Sequence, residues 1–144
     1  MSFAPVQEAI GGPLLDMISS GKAARARLAE MSAEQRETHF WATVLNDTAY
    51  PLALGGFLAG LAARFGGNLR TFAVIPAFLA VITDLSENAS QAVALQGEPA
   101  WLAAKTVLTP AKFGFFMLAA FVAVGLMLVS AAQWLLRRRK QQIR

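Results

Sequence analysis

The chain has 144 residues, 56% of them apolar and only 15% charged, against roughly 25% charged in an average soluble domain. It holds no cysteine and a single histidine, His39, which excludes disulfide frameworks, thiolate metal sites and cysteine nucleophiles, and argues against histidine-rich metal or haem sites. The net charge of +4 comes largely from the tail RRRKQQIR, so it describes a terminus and not a nucleic-acid-binding face, and no nucleic-acid partner is expected.

In chain order, residues 5–19 come first, with Glu8, Asp16, Pro13 and two glycines. They are too interrupted for a span and read as an interfacial or re-entrant segment. No basic stretch precedes an apolar core and a small-residue cleavage site, so no cleavable secretion signal is expected. The next stretch, GKAARARLAEMSAEQRE, mixes both signs of charge with scattered apolar residues, the pattern of a surface helix. Ser32 and Gln35 within it have the spacing of a capping box. Residues 1–37 thus form an amphipathic or interfacial N-terminal segment.

Residues 38–136 then read as an all-α transmembrane domain, a bundle of three helices. The first span, about 39–63, is interrupted only by Asp47 and is wholly apolar in its second half. The second, about 71–95, opens apolar and carries Asp84 and Glu87 further on. The third, about 112–136, runs from Phe113 to Leu136 without a charge, longer than the roughly 20 residues a bilayer requires. Thr109 and Pro110 supply a start signal for it, a polar cap and then a ring whose fixed φ suits the first helical position. Pro51 and Pro76 would break a soluble helix, but in a membrane bundle a neighbouring helix can satisfy the freed carbonyl. The basic tail, 137–144, is expected to stay on the cytoplasmic side of a bacterial inner membrane. Arg64 and Arg70, between the first two spans, agree with that orientation; Lys22, Arg25, Arg27 and Arg36 do not.

Acidic residues inside spans cost ~2.5–3.5 kcal/mol each on insertion scales and mark functional sites by default. Asp47 lies about 25 Å along its helix from Arg64, and Asp84 about 21 Å from Arg70, so the two reach similar depth. Lys112, about 37 Å of helix before Arg137, comes to the same boundary. Asp84, Glu87 and Asn88 are spaced i, i+3, i+4 and share one face, which should turn toward Asp47, Tyr50 and Lys112. Three carboxylates against one ammonium predict at least one shared proton. Two readings of this cluster stand: polar glue that fixes helix orientation, or a site that binds or transfers a proton, a cation or a lipid head group.

The remaining signals are blander. Gly56 and Gly60 have the spacing of a helix-packing motif. Trp41, Trp101 and Trp134 fall near span ends and read as interfacial anchors, and His39 as an interfacial side chain. No motif supplies a nucleophile with its base, a phosphate loop or a pair of metal ligands. No catalytic residue, metal site or cofactor is therefore expected.

Taken as a series, Asp47-x-x-Tyr50-Pro51, then Pro76 followed by Asp84-x-x-Glu87-Asn88, then Thr109-x-x-Lys112 resembles a group of small uncharacterised multi-span bacterial membrane proteins. The similarity covers roughly residues 32–136, with the Asp84-x-x-Glu87-Asn88 element its most specific part. Members of the group tend to carry one more span near the N-terminus, where this chain departs from them. The resemblance implies a recurring intramembrane polar feature and no particular activity. The expected function is an accessory or scaffold subunit, bound to membrane lipids and to other membrane subunits or copies of itself. The alternatives are a transporter or proton- or cation-relaying component using the carboxylates, and a lipid-binding protein.

Overall fold

The structure, a computed structural model, describes residues 4–142. These residues are helical throughout their ordered elements, with no strand among them. Helix α1 spans Ala4–Ala9, and a short 3-10 turn, Leu15–Met17, leads to α2, Gly21–Glu30. Ser20 caps α2 by accepting from the Ala23 N–H at 3.4 Å. Helix α3, Ala33–Ala42, begins with the expected capping box: Ser32 Oγ accepts from the Gln35 N–H at 3.2 Å while Gln35 Oε1 accepts from the Ser32 N–H at 3.0 Å.

A π-helical turn, Thr43–Asp47, joins α3 to α4, Thr48–Phe65, without a break. It lies just ahead of Pro51, which has no N–H and whose ring presses on the carbonyl four residues earlier, a recognised cause of a local change in helical winding. Gly67, at φ +52°, lets the chain turn back, through α5 (Arg70–Ala73), into α6, Ile75–Leu95. Pro76 falls in the first turn of α6, where a helix needs no N–H, so this proline leaves no carbonyl to rescue. Gly97, at φ +120°, makes the second reversal. A 3-10 stretch, Pro99–Ala104, then feeds α7, Lys105–Gln142, about 57 Å long at the ordinary helical rise.

Helix α7 therefore begins before the expected start at residue 112, and Thr109 and Pro110 lie inside it. The cap-and-proline pattern is a real start signal in general, but here the preceding 3-10 turn already delivers the chain in helical geometry at Lys105. Pro110 removes one backbone bond, close to an end where several N–H groups lack helical partners in any case.

Helices α4, α6 and α7 pack against one another around one apolar core, a second apolar core forms where the N-terminal segment meets the end of α6, and a polar layer separates the two. The second core joins Ile10, Leu14, Leu15, Ala24, Leu28 and Met31 to Ala94, Leu95 and Leu102, so the N-terminal segment is folded onto the end of α6 and the turn after it as a cap. The first is built from Leu58, Ala77, Ala119 and Ala123, small side chains that bring the three helices close. Gly55 extends it: a Cβ there would collide with Val81 Cγ2. Gly56 and Gly60 make no such approach, since a Cβ on either would meet nothing within 4 Å. Between α4 and α6 the close-packing glycine is thus Gly55, turned about 100° from Gly56 around the helix.

Two helical stretches, Gly67–Leu95 and Pro99–Gln141, are long and apolar enough to cross a membrane. The stretch expected as the first span does not reach that mark. Thr48, Tyr50 and Pro51 at one end of α4 and Arg64 at the other lower its mean hydropathy.

Candidate functional site: a polar layer between two apolar cores

Helix periodicity sets this layer. On α6, Asp84, Glu87, Asn88 and Gln91 recur at i, i+3, i+4 and i+7 and are all buried. On α7, Lys105, Thr109 and Lys112 recur at i, i+4 and i+7, also buried. The two faces meet as complementary rows.

Glu87 is the centre, with no exposed surface. Its Oε1 accepts from Lys105 Nζ and, at 2.7 Å, from Thr109 Oγ1. Its Oε2 lies 2.9 Å from Lys112 Nζ, at an angle outside hydrogen-bond geometry, so that contact is ionic. Lys112 also donates to Asp84 Oδ1 at 3.2 Å and to Asp16 Oδ1 at 2.7 Å. One ammonium, which carries three donors, is thereby shared among three carboxylates from two parts of the chain. The oxygens of Asp16, Asp84 and Glu87 come within 4.8 Å of one another, close enough for a metal ion. The Lys112 ammonium stands where such an ion would be and supplies its charge.

The N-terminal segment is held over this layer by a second set of bonds. The Leu15 N–H donates to His39 Nε2 at 2.8 Å, and His39 Nδ1 pairs with Thr43 Oγ1 at 3.1 Å. Because Nε2 accepts, the proton of the neutral ring resides on Nδ1 and is donated to Thr43. On the α4 side, Asn88 Nδ2 donates to the Asp47 carbonyl oxygen at 2.8 Å.

A cavity of about 300 Å³ opens beside the layer. Asp16, Asp47, Asp84 and Lys112 form its polar wall, and Tyr50, Leu54, Phe113 and Phe116 its apolar one. Asp47 Oδ2 has no hydrogen-bond partner among the described residues.

Of the residues singled out from sequence, Asp47, Asp84, Glu87, Asn88 and Lys112 meet in this layer. Tyr50 is largely exposed and contributes a ring to the cavity wall. Trp41, Trp101 and Trp134 are exposed, away from it. Sequence reasoning missed Lys105, the side chain of Thr109, Asp16 and the role of His39. Lys105-x-x-x-Thr109-x-x-Lys112 is itself a one-face pattern, complementary in charge to Asp84-x-x-Glu87, and could have exposed the first two. Four carboxylates thus face two ammoniums, and the surplus of acid expected from three against one is unchanged.

Comparison with models of protein families, with curated proteins and with solved structures finds no match.

Proposed function

We propose that this chain is a small integral membrane protein of three spans, α4, α6 and α7, acting as an accessory or scaffold subunit of a membrane complex or of a homo-oligomer. In this reading the cap lies at one membrane boundary and the polar layer just beneath it, with the basic tail on the cytoplasmic side of a bacterial inner membrane. The group of small multi-span bacterial membrane proteins that the Asp84-x-x-Glu87-Asn88 element resembles is its proposed kin. In an apolar 18-residue window of each stretch only 17% and 11% of the residues are buried inside the chain, which supports lipid or partner helices as the covering, since a soluble protein would hide such helices in its own core. From Val124 to Gln141 no residue is buried by the chain itself.

One observation favours a structural role over transport. Away from the polar layer, toward the Gly67 turn, the buried side chains of α4, α6 and α7 are Leu58, Ala62, Ala77, Ala80, Ala119 and Ala123, all apolar. A lone bundle so filled offers a proton or cation no polar relay, whereas relays depend on chains of ionisable groups facing the interior. Asp16, Asp84 and Glu87 are held by Lys105, Thr109 and Lys112 of α7 and act as a clamp between helices.

The test is the mass and composition of the particle extracted from its native membrane in mild detergent. The expected result is a stable assembly with other membrane subunits or with further copies of the chain. A bare monomer, or a pH-driven ion flux from the purified chain in liposomes that is lost in Asp84→Asn, would overturn the reading.

A further inference from the structure

The clamp leaves one acid unused. Asp47 is only 8% exposed, and its Oδ2 has no hydrogen-bond partner among the described residues. Its backbone carbonyl is held by Asn88, but the carboxylate faces the cavity. Lys112, the one cation in that wall, is already engaged by Asp16, Asp84 and Glu87. A buried carboxylate without a donor is costly, and an arriving cation relieves that cost.

Across the cavity the wall is apolar and aromatic, with Leu54, Phe113 and Phe116. The Phe113 ring already faces a cation: Lys112 Nζ stands 5.5 Å from its centroid. We infer that this cavity binds a lipophilic amine, whose ammonium pairs with the Asp47 carboxylate while its apolar body lies on Leu54, Phe113 and Phe116.

Other ligand classes fit less well. A bare metal ion would need several oxygens, and the triad close enough to provide them already surrounds Lys112. A phosphate would meet three carboxylates with no cation free to receive it. That same point separates the two sources of an ammonium: a free amine brings no phosphate, whereas an aminophospholipid head group does. The volume, about 300 Å³, is at the small end of ligand sites. The site depends on the fold alone and stands whether or not the chain is a subunit of a larger assembly.

The experiment uses the full chain in phosphatidylcholine nanodiscs, titrated by calorimetry with phenylbutylamine and with phenylbutanol, its uncharged counterpart. The amine should bind saturably and the alcohol at least about tenfold more weakly, the share expected of a charge-assisted hydrogen bond. Asp47→Asn keeps the carbonyl that Asn88 holds and should weaken the amine by a similar factor while leaving the alcohol unchanged. Leu54→Phe, which fills the cavity and touches no charge, should weaken both and provides a separate reading should Asp47→Asn misfold. Equal binding of amine and alcohol, or an unaltered amine affinity in a folded Asp47→Asn, overturns the site. Displacement of the amine by phosphatidylethanolamine added to the nanodisc would overturn the choice of a free amine, and failure to displace it supports that choice.

Discussion

Asn88 Nδ2 donates to the Asp47 carbonyl oxygen across the α4–α6 interface, 2.8 Å away, and that carbonyl is the one whose ordinary helical donor would be residue 51, a proline. The side chain of one helix thus replaces a backbone donor missing from another. Asn88→Leu should leave the carbonyl unpaired and destabilise the chain by about 1–3 kcal/mol, measured as the unfolding midpoint in detergent. In a Pro51→Ala background, where an N–H returns, the same substitution should cost much less. Equal costs in the two backgrounds would contradict the replacement.

Glu87 joins α6 to α7 through Lys105, Thr109 and Lys112. Truncating one partner of a buried ion pair strands the other charge, so Lys105→Ala should cost ~3–5 kcal/mol. Replacing Lys105 and Glu87 together by Met and Leu should recover most of that loss, because two apolar groups of similar size leave no charge stranded. A double variant as unstable as the single one would mean that the contacts of Glu87 with Thr109 and Lys112, and not its pairing with Lys105, carry the stability.

The glycines separate packing within the chain from packing between chains. Gly55→Ala would set a Cβ against Val81, whose β-branched side chain has little rotamer freedom in a helix. Overpacking of this kind typically costs ~1–3 kcal/mol. Gly56→Leu and Gly60→Leu meet open space and should leave the isolated chain as stable as before. If partner helices seat on these glycines, the same two variants reduce the mass of the native particle, read by native electrophoresis.

His39 ties the N-terminal segment to α3 through the Leu15 N–H. His39→Phe keeps much of the volume and removes the acceptor, leaving a buried N–H unpaired at a cost of about 1–3 kcal/mol. The loss should be local: hydrogen exchange at Leu15 and Asp16 should accelerate more than exchange in α6 or α7. Uniform acceleration across all helices would show that the cap does not open separately.

The rows of helical spacing made Asp84, Glu87, Asn88 and Lys112 legible in the sequence, because the expense of an acid in an apolar stretch obliges it to find a partner. The rest was hidden for particular reasons. Thr109 and Pro110 imitate a helix start, which set Lys105 outside the expected helix and made Thr109 look like a cap. Asp16 reaches Lys112 across 96 positions of sequence, a contact that no local pattern encodes. The cap core uses Ala24 and Leu28 among charged neighbours, too sparse an apolar face to distinguish a helix resting on protein from one resting on a membrane. The Gly56–Gly60 spacing pointed to packing one position away from Gly55, where it occurs.

Membrane placement is tested most directly by single-cysteine accessibility, which the natural absence of cysteine makes clean. Asn68→Cys lies in the turn between α4 and α6, Glu98→Cys in the turn before α7, and Gln141→Cys near the end of α7; all three positions are exposed. Three spans with a cytoplasmic tail predict that an impermeant maleimide added to intact cells labels Glu98→Cys alone, and labels Asn68→Cys and Gln141→Cys only after the membrane is opened. Labelling of Asn68→Cys and Glu98→Cys from the same side would contradict it.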